Sequence, residues 1–77
     1  MPTVVERVPK LTRLRAVRRS KFLSPRELAD QAGVSVQAIY KLERGEASAR
    51  YETTRKLAAA LEVHPSEIVD PDELSAD

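Results

Sequence analysis

The stretch Ser24–Gly45, with the sequence SPRELADQAGVSVQAIYKLERG, decides the fold of this chain. A serine followed by proline and, three residues later, by Glu27 is typical of a capped helix start. We predict that this helix ends at Gly33, because glycine adopts the left-handed conformation after a helix without the steric cost of a β-carbon. Ser35 then caps a second predicted helix, which ends at the second glycine of the stretch.

Apolar residues recur at helical spacing in both halves of this stretch. They occur at i, i+1 and i+4 in the first predicted helix and at i, i+3 and i+6 in the second. Two short helices separated by a glycine-containing turn form a helix-turn-helix pattern, which also occurs in helical hairpins that do not bind DNA. We expect the helices to cross at Ala29, because a small side chain is needed there. The residues expected to fill the wedge between them are Leu28, Ala32, Val34, Ile39 and Leu42.

The segments LSPRELADQAGVS, AIYKLERG and LAAALEVHPSEIV follow one another in the order and at the spacing of a known family. On these segments the chain resembles the lambda repressor and Cro family of helix-turn-helix domains, often called XRE-type, from Leu11 to Val69. The resemblance implies an all-α, compact five-helix DNA-binding domain with the helix-turn-helix at its second and third helices. It also implies a structural ion pair between Arg18 and Glu43 that ties the first helix to the third.

Three further helices are predicted outside the helix-turn-helix. The first covers Lys10–Lys21, the fourth covers Tyr51–Leu61 with apolar positions at i, i+3, i+4 and i+7, and a short fifth covers Pro65–Val69. Phe22 and Glu62 stand where the resemblance implies glycine. We expect Phe22 to cover the edge of the core.

Length and composition limit the classes of protein to which this chain can belong. A chain of 77 residues makes one small domain near the lower size limit for independent folding. The absence of cysteine excludes disulfides, a thiolate nucleophile and a cysteine zinc site. No signal peptide is recognised, and no apolar run approaches the ~20 residues that cross a bilayer. We therefore expect a cytoplasmic protein without membrane contact, with an arm over residues 1–9, a domain over residues 10–70 and an acidic flexible tail over residues 71–77.

The net charge of +1 conceals a strong asymmetry along the chain. Residues 1–26 carry eight Lys or Arg against one Glu, whereas residues 62–77 carry six acids and no Lys or Arg. In the predicted first helix the outward charges all have the same sign, which does not suit intrahelical salt bridges. Attraction to phosphate explains this pattern better than a merely solvated face does.

The sequence does not favour catalysis. The single histidine, His64, precedes a short predicted helix and is interpreted as its N-cap. The chain has no glycine-rich phosphate loop, and its C-terminal acids lack the turn and spacing of a calcium loop. We predict no enzymatic activity, no cofactor and no metal.

The second helix of a helix-turn-helix presents its N-terminal residues to base edges in the major groove. Gln37 has the chemistry to pair with adenine, and Lys41 to donate to guanine. The predicted base contacts are Ser35, Val36, Gln37, Ala38, Tyr40 and Lys41. The predicted phosphate contacts, which position the domain, are Arg15, Arg19, Pro25, Arg26, Arg44, Arg50 and Tyr51.

Together these patterns predict a sequence-specific regulator of transcription, in particular a repressor, that binds double-stranded DNA as a homodimer. The expected dimer surfaces are the N-terminal arm and the last helix around Ile68 and Val69, two side chains that are available either for the core or for a subunit contact. Two alternatives remain open. The same fold serves as an antitoxin or as an adaptor that binds a protein partner, and an arginine-rich first helix also suits nucleic-acid binding without sequence preference.

Overall fold

The computed structural model describes residues 10–70. Within that range the chain is helical and contains no strand, which confirms the all-α prediction. The four helices are α1 (Leu14–Ser20), α2 (Pro25–Ala32), α3 (Val36–Glu43) and α4 (Tyr51–Leu61), and a 3-10 turn covers Pro65–Glu67. The arm predicted over residues 1–9 and the tail predicted over residues 71–77 lie outside the described residues.

The start of α2 has the predicted capping box. The Ser24 hydroxyl accepts a hydrogen bond from the Glu27 backbone N–H at 3.1 Å, and the Glu27 carboxylate accepts one from the Ser24 backbone N–H at 2.8 Å. At the start of α3 the Ser35 hydroxyl accepts from the Ala38 N–H at 3.1 Å. Both helices of the motif therefore begin where their side-chain caps place them.

The capping box makes a pH effect testable. The hydrogen bonds between Glu27 and Ser24 hold the pKa of the carboxyl below its ordinary value of 4.5. A lowered pKa in the folded state means that the carboxylate stabilises the fold above about pH 4.5, and that this contribution is lost as the pH falls through the folded-state pKa. Glu27→Gln is expected to be less stable than the wild type near neutral pH, and the difference is expected to shrink at about pH 3. Thermal melts at both pH values check this, and an equal difference at both would contradict it.

All four helices end in the same backbone conformation. A residue with positive φ follows each one: Phe22 at 59°, Gly33 at 74°, Gly45 at 74° and Glu62 at 61°. The next residue then donates its N–H to a carbonyl five residues back, at 3.3, 3.0, 2.9 and 3.0 Å for residues 23, 34, 46 and 63. This bond pairs a carbonyl of the last helical turn with a backbone N–H from beyond the helix. The positions with phenylalanine and glutamate therefore have the backbone that glycine favours.

Glycine at either of the two strained positions is expected to stabilise the domain. Phe22→Gly and Glu62→Gly each relieve the left-handed conformation and are expected to raise the free energy of unfolding by about 1 kcal/mol. Gly33→Ala is the control, because no atom lies within 4 Å of the added β-carbon and its loss of stability is purely conformational. Chemical denaturation measures all three changes. Destabilisation by both glycine variants would contradict the explanation.

The first helix is shorter than the predicted Lys10–Lys21. It begins at Leu14 because the residues before it bond to the other end of the domain. The Arg13 N–H donates to the Ile68 carbonyl at 3.3 Å, and the Asp70 N–H donates to the Lys10 carbonyl at 2.9 Å. These two bonds join the ends of the described chain.

The same backbone bonds explain why the predicted fifth helix over Pro65–Val69 is wrong. The His64 ring accepts the Ser66 N–H at 3.1 Å and starts a 3-10 turn, as an N-cap. The turn ends at Glu67 because the next backbone groups are bonded to residues 10–13. α3 likewise ends at Glu43 rather than at the predicted glycine, which instead forms the left-handed residue after the helix.

One core lies between the helices and the 3-10 turn, and Leu14, Leu28, Ile39 and Leu57 are fully buried in it. Ile68 and Val69 are also buried within the single chain. These two side chains therefore do not form the dimer surface that the sequence suggested. Phe22 does not cover the core edge either, because it is 93% exposed.

Candidate nucleic-acid interface

The third helix presents one face to the core and the opposite face to solvent. Ile39 and Leu42 are buried, as the spacing predicts. Among the predicted base contacts, Val36 and Ala38 are half-buried. The other predicted base contacts are exposed, namely Ser35, Gln37, Tyr40 and Lys41.

A cleft of about 400 Å³ lies between α3, the loop that follows it and the start of α4. It brings Gln37 and Lys41 together with Arg50, which comes from the other wall. Ser48 and Thr53 line the same cleft, and neither is among the predicted contacts. Their hydroxyl groups are small hydrogen-bonding groups in a loop and at a helix start, and no sequence pattern distinguished them from other surface positions.

Tyr40 lies on a different flank of α3. Tyr40 is three residues after Gln37 and therefore lies about 60° from it around the helix, and it does not line the cleft, whereas Lys41 does. Its electrostatic interaction with Arg18 places it towards α1. The predicted base contacts therefore divide between the cleft and the side of α3 that faces α1.

Arg18 joins α1, the following turn and α3. Its Nε donates to Glu43 Oε2 at 2.6 Å, its second guanidinium nitrogen donates to the other carboxylate oxygen at 3.1 Å, and the third donates to the Leu23 carbonyl at 2.7 Å. The two side chains are only 9% and 6% exposed. Hydrogen bonding to Glu43 raises the pKa of Arg18, so the guanidinium stays charged. The bidentate geometry fixes the orientation of α3 relative to α1.

The predicted phosphate contacts lie on several elements around this face. Arg15 and Arg19 are exposed on α1, and neither forms an ion pair within residues 10–70. Arg44 is different, because its Nε lies 3.0 Å from Glu46 Oε2 in an exposed ion pair. Pro25 is half-buried, and the remaining exposed members of the set are Arg26, Arg50 and Tyr51.

Other kinds of site find no support in the described part of the chain. Residues 10–70 contain no group of three or more His, Asp or Glu side chains placed to hold a metal ion. Over the same residues, no helix has the length and apolar character needed to span a membrane.

The chain matches the model of a protein family described as helix-turn-helix, HTH_3, over residues 14–68. This match includes all four helices and the 3-10 turn. A comparison with curated protein sequences gives no match.

Solved structures with the same fold are more informative. The restriction-modification controller protein C.AhdI from Aeromonas hydrophila is 34% identical, with a TM-score of 0.73 over 79% of this chain and 92% of that chain. An HTH_3 family transcriptional regulator from Vibrio cholerae is 34% identical, with a TM-score of 0.72 over 77% of this chain and 33% of that chain. The clp gene regulator ClgR from C. glutamicum is 29% identical, with a TM-score of 0.70 over 88% of this chain and 86% of that chain.

Proposed function

Because the chain belongs to the HTH_3 family of XRE-type helix-turn-helix DNA-binding transcription regulators, we propose that it recognises a specific operator through the exposed face of α3. The observation that carries this proposal is the cleft beside α3. There two side chains suited to base edges, Gln37 and Lys41, stand opposite the cationic Arg50. A groove of DNA offers base edges and phosphates at just such adjacent positions.

Base recognition is assigned to the exposed residues of α3. Gln37 pairs with adenine through N6 and N7, and Lys41 donates to guanine O6 or N7. Val36 and Ala38, which are half-buried, pack against thymine methyl groups. Tyr40 contacts the duplex on the side nearer α1, and Ser35 lies at the helix start.

Phosphate contacts hold the domain in register on the duplex. At the start of α2 the backbone N–H of Arg26 is directed towards one phosphate, and Pro25, which has no N–H, packs against the same stretch of the DNA backbone. Arg50 and Tyr51 at the start of α4 contact the backbone on the other side of α3. Ser48 and Thr53 share the cleft with Arg50. Their hydroxyl groups donate hydrogen bonds to the phosphate that Arg50 contacts.

The regulator is proposed to act in the cytoplasm as a homodimer and to repress transcription. One helix provides few base contacts, and a two-fold dimer doubles them on half-sites about one helical turn apart. Repression follows when such an operator overlaps a promoter. No enzymatic step is part of this function.

Selection from random duplex DNA by the purified chain tests the proposal. Near-physiological salt is required, because low salt exaggerates binding that depends only on phosphate. We expect enrichment of a palindromic motif. Lack of any enrichment would overturn the proposal and favour the alternatives, a protein-binding antitoxin or adaptor on the same fold, or binding without sequence preference.

The salt dependence of binding tests the proposed phosphate contacts on α1. Arg15 lies about 60° from Arg18 around α1 and therefore on the side of α1 nearer α3, whereas Arg13 precedes the helix and its backbone N–H is bonded to Ile68 at the other end of the domain. Arg15→Gln is expected to reduce the slope of log affinity against log salt by about 1 and to weaken binding to all sequences equally. Arg13→Gln removes the same charge and is expected to leave the slope near the wild-type value. Equal slopes for the two variants would contradict this assignment.

A further inference from the structure

The turn between α1 and α2 exposes a large aromatic side chain. Phe22 is 93% exposed and has the positive φ described above. Its backbone is fixed by the bond from the Phe22 N–H to the Arg19 carbonyl at 3.0 Å, so the ring is held away from its own core. An aromatic ring releases substantial free energy when it is removed from water.

A second cleft lies directly beside this ring. It has a volume of about 220 Å³, which is larger than the roughly 150 Å³ that accommodates a benzene molecule in a protein. Both chain neighbours of Phe22 line it, whereas Phe22 itself does not. The apolar lining residues are Leu23, Ala60 and Leu61, and the polar ones are Lys21, Gln31 and Glu62.

We propose that two copies of this protein associate through this surface, with Phe22 of each copy inserted into the cleft of the other. A protruding ring and a cleft side by side on one surface allow that surface to be its own complement, as a two-fold contact requires. Lys21 and Glu62 both line this cleft, so a two-fold contact through it allows Lys21 of one copy to pair with Glu62 of the second copy. Neither side chain forms an ion pair within residues 10–70, so both charges are available.

This inference rests on the proposed dimer and names its surface. Ile68 and Val69 are buried within one chain and cannot provide an interface without unfolding part of the core. The cleft beside Phe22 shares no residue with the cleft beside α3. Self-association therefore leaves Gln37 and Lys41 accessible to DNA.

The dimer is expected to be weak in the absence of DNA. An aromatic side chain buries about 150–250 Å², so two of them with their polar surroundings fall below the roughly 1,200 Å² of a stable interface. Adjacent half-sites hold two copies at high effective concentration and compensate for this weakness.

Sedimentation equilibrium of the full chain without DNA, from about 1 µM to about 1 mM, tests the surface. The wild type is expected to show a monomer–dimer equilibrium, and Phe22→Gly is expected to weaken it at least tenfold. Glycine suits the left-handed backbone at this position, so the variant is expected to melt at a higher temperature than the wild type. Loss of the dimer together with higher thermal stability excludes misfolding as the cause.

Charge exchange provides the second test. Lys21→Glu and Glu62→Lys are each expected to weaken the dimer, and the double variant to restore it. A monomeric wild type, an unchanged dimer in Phe22→Gly or a double variant without restoration would each overturn this surface.

Selection from random duplex DNA tests the proposed function separately from the proposed dimer surface. A monomer that still selects a motif overturns the dimer and its surface but leaves operator recognition by α3 standing, and a dimer that selects none overturns operator recognition alone.

Discussion

Glu43→Ala is expected to lower the free energy of unfolding by about 3 kcal/mol, because it leaves the guanidinium of Arg18 without its partner in a buried position. The pair is bidentate and its side chains are only 9% and 6% exposed. A small domain has little stability to lose, so the variant is expected to be partly unfolded at physiological temperature. Urea denaturation followed by circular dichroism measures the change.

Two comparisons test whether burial of the Arg18–Glu43 pair causes the expected loss of stability in Glu43→Ala. Glu46→Ala breaks the Arg44–Glu46 pair, whose side chains are 60% and 54% exposed, and it is expected to cost at most about 0.5 kcal/mol. Arg18→Met combined with Glu43→Leu removes both charges and is expected to recover most of the lost stability. If Glu43→Ala cost no more than Glu46→Ala, the buried pair would not stabilise the fold.

Gln37→Ala is expected to remove roughly 1–3 kcal/mol of discrimination between the operator and its variants, which corresponds to about 5-fold to 150-fold in site preference. Binding to unrelated duplexes is expected to persist, because the phosphate contacts remain. Repeating the selection with the variant, and titrating the best site against single-base changes, measures the loss. The preference should fall mainly at one base-pair position in each half-site.

Thr12→Ala is the control for this experiment. Thr12 is an exposed, uncharged polar residue that lines neither the cleft beside α3 nor the cleft beside Phe22. It is expected to leave the order of preferred bases unchanged. An unaltered preference in Gln37→Ala would show that α3 does not recognise bases through this side chain.

Local chemistry made the helix-turn-helix predictable. Ser24 with Glu27, Gly33 and Ser35 each determine a helix end through hydrogen bonds or backbone conformation within a few residues. Spacing alone identified Ile39 and Leu42 as buried, and it gave the correct bounds of α4. These features depend on neighbours in the chain, so they can be derived without tertiary structure.

Features that depend on distant residues were not predictable in this way. The late start of α1 and the early end of the 3-10 turn both follow from backbone bonds between residues 10–13 and 68–70. Burial of Ile68 and Val69 follows from the same backbone bonds. In the candidate site, Ser48 and Thr53 were missed because only the fold brings them beside α3. The direction of the Phe22 ring has a local cause instead, the positive φ of that residue, which is uncommon for a residue other than glycine.

The bond between Asp70 and Lys10 makes the two ends of the described domain neighbours in space. A chain whose ends are adjacent tolerates circular permutation, because a short linker joins the old ends without crossing the core. New ends opened in an exposed turn would leave every helix intact and preserve the packing order around the core. We therefore expect this domain to adopt the same fold when its helices are translated in a circularly permuted order.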